Sequence, residues 1–333
     1  MRSKQKIAWG LWVLVLATTL ACENPYRRLA REAPFLSVGA RDATGAFVNL
    51  AEQPRRIVAL DPAAAELLVL FGRGDRVVAV SEFCDGPAAL NALPVLFLEA
   101  DSSYRVQSIE ALKADVVFHS LSLGPPERFR AFARGLGLPV FFSGVRSWEQ
   151  VEDQIEGLGR LAACDSQAQA YVGELKRFIA AIGNARPAGD TVRAVVLAGT
   201  RPLRVVARDH YLTGLLARLG ARNVMDFLAG ETAPATGTLV AGQRPTLVLV
   251  LTDNPADATL DLQTHAPELG NTPAANRPEG IVSVEPKVLM RPGAGLLDAV
   301  GLLGQYLYPG LAVDSLYRQV NPLPKREPAN PTP

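Results

Sequence analysis

Short apolar runs recur along the first half of the chain, and each ends in glycine, proline, aspartate or serine before a helical pattern begins. The runs are RRIVAL at 55–60, RVVAV at 76–80, DVVFHS at 115–120 and LPVFFSG at 138–144. Continuous apolar runs that alternate with helices are typical of parallel strands buried on both faces. The pattern predicts an α/β lobe over residues 37–146.

The same alternation resumes in the second half of the chain. It predicts a second α/β lobe over residues 186–310, with helices at 210–221 and 294–309. The strands of this lobe are predicted from four apolar runs, at 191–199, 201–207, 244–253 and 279–285. The predicted fold class is therefore α/β, with two lobes that are each built on a parallel sheet.

One amphipathic segment joins the two lobes. Ser147 and Gln150 form a capping-box pattern, and the apolar residues from Val151 to Ala162 form one stripe. We predict a single helix over 147–185, which would be about 50 Å long at about 1.5 Å per residue. Such a helix would act as a stiff hinge that limits how far the lobes close.

The first 22 residues have the pattern of an export signal. A basic start is followed by an apolar stretch over residues 7–20, which is shorter than a helix that spans a bilayer. Thr19-Leu20-Ala21-Cys22 resembles a bacterial lipobox, although that pattern prefers leucine where Thr19 stands. We expect Cys22 to be lipidated and to anchor the mature chain to a membrane. An ordinary cleaved signal and an uncleaved anchor are the alternatives.

Two further stretches are expected to lie outside the folded lobes. Residues 23–36 are interpreted as a tether, and residues 311–333 as a Pro-rich tail without stable structure. The predicted organisation is thus signal, tether, N-lobe, linking helix, C-lobe and tail.

Composition excludes several classes of protein. The chain has 333 residues, is 48% hydrophobic and 20% charged, as a folded core requires, and carries a formal net charge of +1. Loss of the three basic residues of the signal leaves 31 basic against 33 acidic side chains. The chain therefore lacks the excess of positive charge that is typical of nucleic-acid-binding proteins. The three histidines, and the two cysteines besides Cys22, show no ligand spacing. Neither a metal held by the protein nor a disulfide framework is therefore predicted.

Motifs of the common enzyme classes are missing. The sequence has no G-x-S-x-G elbow, no Walker A loop and no G-x-G-x-x-G turn after a strand. Cys84 would act as a nucleophile only beside a base, and the sequence indicates no partner. The tripeptide at 73–75, Arg-Gly-Asp, is interpreted as a turn between a helix and a strand rather than an adhesion loop. We predict that the chain is not an enzyme.

Several segments in a fixed order resemble one known family. DATGAFVNL is followed by PRRIVALDPAAAELLVLFGRGDRVVAVSEFCDGP, then by SIEALKADVVF and GLGLPVFF, later by LLARLGARNVM, and finally by VEPKVLMRPGAGLLDAVGLLGQYLYP. Over about residues 37–309 the chain resembles the helical-backbone substrate-binding proteins of ABC importers, which bind cobalamin, ferric siderophores and haem. The resemblance implies two Rossmann-like lobes joined by one long helix, with a ligand cleft between them.

Ligand contacts are expected in loops that follow strands, because ligands of open α/β sheets bind beyond the carboxyl ends of the strands. Phe83 falls where the family carries a loop that touches large ligands, and it would stack on a flat macrocycle. The alternative is that Phe83 packs inward and the residues after it form a simple turn. Arg201 and Arg208 are expected to meet ligand carboxylates or phosphate. The candidate ligand-binding residues are Asp61, Phe83, Cys84, Asp85, Tyr104, Arg201 and Arg208.

Contact with a membrane permease is implied only by the resemblance. Family members commonly present one glutamate on each lobe to arginines of the permease. The matching positions are Gln107 and Thr238, neither of which is acidic, whereas Glu110 and Glu231 lie nearby. The chain thus departs from the family pattern at both docking positions.

The predicted function is binding without catalysis. We expect a monomeric, lipid-anchored substrate-binding protein that presents a metal chelate to an ABC permease, with cobalamin or a related corrinoid first and a siderophore or haem next. Any cobalt or iron would arrive inside the chelate, so no resident cofactor is expected. The alternative of another class is a surface lipoprotein that keeps the fold for ligand holding, sensing or assembly without a transporter.

Overall fold

The N-lobe consists of a hairpin and a five-stranded parallel sheet. The computed structural model describes residues 39–99, 106–189 and 191–321. The strands are β1 (Gly39–Arg41), β2 (Phe47–Asn49), β3 (Ile57–Ala59), β4 (Val77–Ser81), β5 (Val95–Leu96), β6 (Val116–Ser120) and β7 (Val140–Ser143). β1 and β2 form the antiparallel hairpin, and the others lie in the order β5-β4-β3-β6-β7. The helices that alternate with them are α1 (Pro62–Leu70), α2 (Val106–Ala111) and α3 (Pro126–Gly135).

The apolar runs of this lobe are buried on both faces, as their sequences predict. Ile57 and Ala59 of β3 belong to one buried cluster, whereas Val58 and Leu60 belong to another. Alternate side chains of a strand point to opposite faces, so both faces of the sheet are covered. This burial leaves the carboxyl ends of the strands as the exposed edge at which a ligand can be met.

Two helices, rather than one, join the lobes. They are α4 (Trp148–Leu161), capped by the Ser147 side chain, and α5 (Asp165–Ala185). The prediction of one uninterrupted helix over 147–185 is thus corrected. Ala163 has φ +56°, its N–H donates to the Arg160 carbonyl, and the Cys164 N–H donates to the Gly159 carbonyl. This is a Schellman ending, and the sequence hid it because alanine stands where glycine is usual.

The Arg-Gly-Asp tripeptide contributes to the same break. Arg73 is 7% exposed, and its guanidinium donates to the carbonyls of Ala162 and Ala163. The side chain therefore satisfies carbonyls that the end of α4 leaves without partners. Gly74–Arg76 forms a 3₁₀ turn directly before β4. The interpretation as a turn between helix and strand is confirmed, and burial of Arg73 removes it from any adhesion surface.

The C-lobe is built on a six-stranded mixed sheet. Its strands are β8 (Val192–Thr200), β9 (Leu203–Val206), β10 (Ala221–Asn223), β11 (Thr232–Pro234), β12 (Leu247–Leu251) and β13 (Ile281–Val284). The order is β11-β9-β8-β12-β13, with β10 also paired to β8. The helices are α6 (Tyr211–Arg218), α7 (Gly237–Gly242), α8 (Pro255–His265), α9 (Pro286–Met290) and α10 (Leu296–Leu307).

The expectation of a wholly parallel C-lobe sheet needs correction at one side. β9 pairs antiparallel with both β8 and β11, whereas β10, β12 and β13 run parallel to their neighbours. Only Arg201 and Pro202 separate β8 from β9. A two-residue connection allows a hairpin but not a parallel crossover, and this fixes the direction of β9.

The segment predicted as the start of a tail is a packed helix. α11 (Val313–Val320) buries Val313 and Tyr317 against α5, and the Tyr317 hydroxyl donates to Glu174. Residues 311–321 therefore belong to the folded body, which corrects the predicted boundary at 310. An amphipathic helix at the end of a chain is stable when its apolar face is buried in this way.

Two further findings concern the cysteines and the apolar character of the helices. Cys84 and Cys164 are both free thiols. Within residues 39–99, 106–189 and 191–321, none of the helices combines the length and the apolar character that crossing a membrane requires.

Candidate functional site

A cavity of about 870 Å³ lies between the two lobes and against α4. Its N-lobe wall is formed by the carboxyl ends of β3, β6 and β7 and by the start of α1. Its C-lobe wall is formed by the start of α6, the residues around α9 and the loop after β12. Val151, Ile155 and Leu158 of α4 close it from the linking segment. The cavity therefore lies where the carboxyl-end rule places ligands.

Asp61 is the buried carboxylate of the N-lobe wall. It caps α1, with Oδ1 accepting the Ala63 N–H at 3.1 Å, and its Oδ2 accepts the Ser143 hydroxyl. Burial raises the pKa of Asp61, although these hydrogen bonds and Arg291 act in the opposite direction. Since both oxygens already have donors, Asp61 shapes this wall and holds Ser143 rather than offering a free acceptor.

Serine hydroxyls supply neutral polar groups to the N-lobe wall. Ser120 and Ser143 end β6 and β7, and Ser122 follows in the next turn. The Ser120 and Ser122 hydroxyls lie 2.8 Å apart, and Ser143 also lies 3.1 Å from the His119 carbonyl. This wall thus offers small neutral groups that can donate or accept.

His210 is the histidine of the C-lobe wall. It caps α6, and its Nδ1 accepts the Leu212 N–H at 3.2 Å. The neutral ring therefore carries its proton on Nε2. Burial lowers the pKa of His210 to about 4. His210 is neutral near pH 7, with Nε2–H as a donor and no free ring lone pair for a metal.

Tyr211 lies beside His210 but is committed to the fold. Its ring stacks on His210 at 4.9 Å, and its hydroxyl donates to the Leu289 carbonyl at 2.5 Å. Burial raises the pKa of Tyr211 above its ordinary value. The hydroxyl is thus a structural donor, and Tyr211 offers the cavity the surface of its ring.

Arg291 joins the two walls at the edge of the cavity. Its Nη1 donates to Glu66 of the N-lobe at 2.8 Å and to Asp85 at 2.6 Å. Burial raises the pKa of Glu66 even though Arg291 opposes the shift. Burial also acts to raise the pKa of Asp85, but the hydrogen bond and charge of Arg291 outweigh it and the pKa falls. Arg291 is therefore a clamp that holds the lobes together.

Charged side chains line the cavity in unequal numbers. The cavity carboxylates are Asp61, Asp85, Glu231, Asp253 and Glu285, and the cavity cations are Arg146, Lys287 and Arg291.

The other two cavity cations, Arg146 and Lys287, each form an ion pair. Arg146 lies 3.4 Å from Glu231 across the cleft, and Lys287 lies 2.8 Å from Glu285. Asp253 has no ion-pair partner within the described part of the chain and is exposed. Each cavity cation therefore already has a carboxylate.

The predicted site residues divide between the cavity and other places. Asp61 and Asp85 line it. Phe83 and Cys84 do not: Phe83 is 44% exposed, and the Cys84 sulfur lies 3.5 Å from the Ser81 hydroxyl and 3.8 Å from the Ala59 carbonyl. Burial raises the pKa of the Cys84 thiol, which keeps it protonated and argues against a nucleophile.

Arg201 and Arg208 also lie away from the cavity. Two nitrogens of Arg201 lie 3.0 Å from the carboxylate of Asp261. Arg208 donates to the carbonyls of Asp226 and Phe227 at 3.0 and 3.1 Å. Their guanidinium groups thus hold parts of the C-lobe, and the structure does not bring them to the cavity.

The other predicted positions are described only in part. Cys22 and Tyr104 lie outside the described residues, and Gln107 lies in α2 with a side chain outside them. The Thr238 hydroxyl donates to Glu268 at 3.0 Å, so a carboxylate lies beside the position at which the resemblance implies a docking glutamate. Glu231, the neighbour considered from sequence, is instead paired across the cleft.

Sequence reasoning missed several cavity residues for two reasons. Ser143 and Glu285 stand at or directly after strand ends, so the carboxyl-end rule contained the signal that would have found them. Arg146 and Glu231 come from different lobes, and their pairing follows only from how the lobes are placed.

The family model of periplasmic binding proteins matches residues 57–277. The chain belongs to this family. That membership agrees with the prediction of a binding protein rather than an enzyme. The matched region contains β3, β6, β7 and β12, whose carboxyl ends contribute to the walls, and it ends before β13 and before Glu285, Lys287 and Arg291.

The relatives found by sequence include vitamin B12-binding proteins. Those of Vibrio cholerae serotype O1 and of Yersinia pestis are 25% and 24% identical over 169 and 174 residues. These alignments cover 51% and 52% of this chain, and 60% and 61% of the relatives. The match thus spans less than two thirds of the relatives' own length.

Solved structures confirm the two-lobed fold. A possible iron-binding (periplasmic solute-binding) protein of Staphylococcus epidermidis superposes with a TM-score of 0.67 at 18% identity, over 77% of this chain and all of that chain. A periplasmic haem-binding protein of Pseudomonas aeruginosa gives 0.63 at 24% identity, over 77% and 94%. The periplasmic vitamin B12-binding protein of Vibrio cholerae gives 0.61 at 22%, over 76% and 96%. At these identities the likeness shows the fold alone.

Proposed function

We propose that this chain is a lipid-anchored protein of the cell envelope that holds a metal chelate between its lobes and presents it to an ABC permease. Cobalamin or a related corrinoid is the first candidate, and a siderophore or haem is the next. The observation that carries the proposal is the interlobe cavity of about 870 Å³ in a chain of the periplasmic binding protein family. Small-molecule sites commonly have volumes of about 300–1,000 Å³.

Binding in this proposal needs only a small movement of the lobes. The Arg291 clamp and α5 already join the lobes. A bound ligand would therefore change the distance between the lobes only slightly and would not cause a large hinge closure. A permease would respond to the liganded form because ligand and permease favour the same conformation. The chelate itself undergoes no chemical step.

Ligand identity is tested with the chain that begins after residue 22. Trp148 is the only tryptophan of residues 23–333 and lies on α4, which lines the cavity. Cobalamin, haem or a ferric siderophore in the cleft should quench its fluorescence, and mass spectrometry of the purified protein should detect any retained chelate. Failure of all three to bind below about micromolar concentration, roughly 8 kcal/mol, would reject the chelate proposal.

The lipid anchor is tested at Cys22. In bacterial cells the unchanged chain should sediment with membranes and gain the mass of acyl chains, whereas Cys22→Ala should lose the acyl mass. Cys84→Ala is the matched control, because Cys84 lies in the N-lobe and should leave lipidation unchanged. Equal acylation of both variants would remove the anchor from the proposal.

Docking to a permease is supported at the C-lobe by Glu268, which binds Thr238. We expect Glu268→Gln to weaken binding to permease-containing vesicles while ligand affinity is unchanged, since Glu268 does not line the cavity. An exposed acidic residue at the amino end of β13, Glu279, provides the control as Glu279→Gln. If neither variant alters permease binding, this contact is absent.

A second candidate function is a lipoprotein that holds or senses a ligand without a transporter. The observation that favours it is the absence of an acidic side chain at both Gln107 and Thr238. Restored or strengthened permease binding by Gln107→Glu with Thr238→Glu would favour transport. No permease binding by either form, with ligand affinity intact, would favour the holding function.

A further inference from the structure

The charge balance of the cavity distinguishes among the chelates of the proposed function. The lining holds five carboxylates and three cations, which gives a net charge of −2, and counting buried Asp61 as neutral still leaves −1. Rearrangement of ion pairs inside the cavity cannot change this sum. An anionic ligand therefore enters a region of its own charge sign.

The cavity cations are not available to neutralise such a ligand without loss. Arg291 holds Glu66, whose side chain is 16% exposed, so moving Arg291 to a ligand carboxylate would leave a largely buried acid uncompensated. Lys287 and Arg146 sit more openly, at 48% and 74% side-chain exposure, and can turn toward a ligand. Each would then release Glu285 or Glu231 into the same cavity.

The neutral polar groups of the cavity favour a ligand that donates hydrogen bonds. Gln154 of α4 lines the cavity, and its Oε1 is buried and accepts no hydrogen bond from any residue the structure describes. A buried acceptor without a donor costs free energy, and the Gln154 amide loses that cost when it turns toward a ligand N–H in the cavity. Asp253 offers a second acceptor, on the opposite wall.

The Nε2–H of His210 and the serine hydroxyls complement these acceptors with donors. A carboxamide carries both an N–H donor and a carbonyl acceptor, and it has no charge. A carboxylate carries acceptors only. The cavity therefore offers partners for both halves of an amide and repels the charge of an acid.

We propose that the cleft selects chelates that are neutral or cationic and that bear N–H donors such as primary carboxamides, and that it discriminates against carboxylate-bearing chelates of the same shape. This selection rests on the proposed function, because it concerns the same site. Gln154 and Asp253 are the residues that receive the ligand N–H groups, and the net negative lining provides the rejection.

The test compares three pairs of chelates, in each of which one member carries additional anionic groups. The full chain in detergent is titrated calorimetrically with cobalamin and with its monocarboxylic acid, in which one side-chain amide is hydrolysed. The second pair is iron protoporphyrin dimethyl ester and the free dipropionate, and the third is a neutral ferric hydroxamate and an anionic ferric catecholate. In any pair that binds, we expect the member with fewer anionic groups to bind at least about tenfold more tightly at low salt, with the ratio falling as salt is added.

Variants of the lining residues show which side chains cause the difference in affinity. Asp253→Asn with Glu285→Gln lowers the negative charge of the lining and should reduce the ratio about tenfold or more, mainly by strengthening binding of the acid. Gln154→Leu should weaken the amide form about fivefold or more and leave the acid less affected. Glu279→Gln, at the amino end of β13 and far from the cavity, should leave the ratio unchanged.

The outcomes distinguish failure of the charge selection from failure of the proposed function. Equal or tighter binding of the member with more anionic groups overturns the charge selection while the proposed function stands. Unchanged ratios in the Asp253 and Glu285 variant also overturn it. Failure of every member of all three pairs to bind overturns the proposed function, and the selection with it.

Discussion

The N-lobe wall of the cavity presents serine hydroxyls, the buried carboxylate of Asp61 with both oxygens hydrogen-bonded, and the charged side chains of Asp85 and Arg146. The C-lobe wall presents five charged side chains, which are Glu231, Asp253, Glu285, Lys287 and Arg291. Both walls are built at the carboxyl ends of strands. The N-lobe wall follows strands buried in a parallel sheet, and its polar groups are mostly held by the fold. The C-lobe wall carries five of the eight charged side chains of the cavity. The N-lobe wall therefore supplies mostly fixed shape, and the C-lobe wall supplies most of the charge of the cavity.

Each lobe also contains one buried histidine, and the two are held in opposite tautomers. The His119 Nδ1 lies 2.8 Å from the Ser120 carbonyl and must carry the proton, whereas the His210 Nδ1 accepts from Leu212. Burial lowers the pKa of both to about 4. Only His210 lines the cavity.

The largest expected effect is the acid sensitivity that these histidines cause. The unfolded chain protonates them near pH 6.5 and the folded chain near pH 4, so stability falls as pH drops from 6.5 to 4, by about 3 kcal/mol for each histidine. His119→Asn and His210→Asn, whose amides replace the Nδ1 contacts, should each reduce this loss. Urea unfolding at pH 7 and pH 4.5 measures it.

Asp61 and Glu66 change the stability in the opposite direction. Burial raises their pKa values, so as pH falls the folded chain binds these protons before the unfolded chain does and is stabilised by them. The comparison is therefore made between each variant and the unchanged chain over the same pH range. A ligand bound in the cavity should reduce the pH dependence that His210 causes but not the pH dependence that His119 causes, because only His210 lines the cavity. Equal pH dependence in all three chains would contradict the shifted histidines.

The next effect concerns the clamp between the walls. Arg291→Met leaves the partly buried Glu66 without its cation, and we expect a loss of about 2–3 kcal/mol in the free energy of unfolding. Adding Glu66→Gln should recover part of this loss, since the uncompensated charge is then gone. A double-mutant cycle by urea unfolding measures the coupling, and additivity of the two changes would dismiss the clamp.

Close approach of the walls can be tested with a smaller change. A Cβ at Gly293 would lie 2.6 Å from Glu66 Oε2 and 3.2 Å from the Ala63 backbone, so Gly293→Ala should force the lobes apart and cost about 1–3 kcal/mol. Gly295→Ala is the matched control, because its Cβ would meet nothing within 4 Å. Thermal unfolding and small-angle scattering follow the two variants, and equal behaviour would show that the contact is loose.

The smallest effect tests the fixed shape of the N-lobe wall. Ser143→Ala removes the hydroxyl that Asp61 accepts, at a cost of about 1 kcal/mol. The pKa of Asp61 should rise further, which NMR titration of the side-chain carboxyl can detect. Ser122→Ala is the control, since Ser122 does not contact Asp61. An unmoved Asp61 pKa would mean that Ser143 does not hold it.

Much of the fold could be predicted from local pattern. Runs such as IVA in β3 and LVLVL in β12 are wholly buried, because apolar segments of this length lower their free energy only inside a sheet covered on both faces. The break between α4 and α5 lacked such a local signal. Alanine at position 163 adopts the conformation that glycine usually marks, and the helix end is held by Arg73, which is far away in sequence.

The candidate site could be predicted only in outline. Asp61 and Asp85 were expected from their places after strands and do line the cavity. Arg201 and Arg208 also follow strands, yet each guanidinium is bound to its own lobe. A strand-end rule selects an edge of the sheet, but it does not tell whether a side chain turns to the cleft or to a neighbouring loop.

The sequence by itself determined the α/β alternation, the two lobes and the order of segments that marks the family, because these depend on periodicity and on short local motifs. The tertiary structure alone decided which charges share the cleft. Arg146 with Glu231, and Arg291 with Glu66 and Asp85, come together from different lobes. Coulomb energy depends on distance in space, and for these pairs that distance is set by the packing of the lobes.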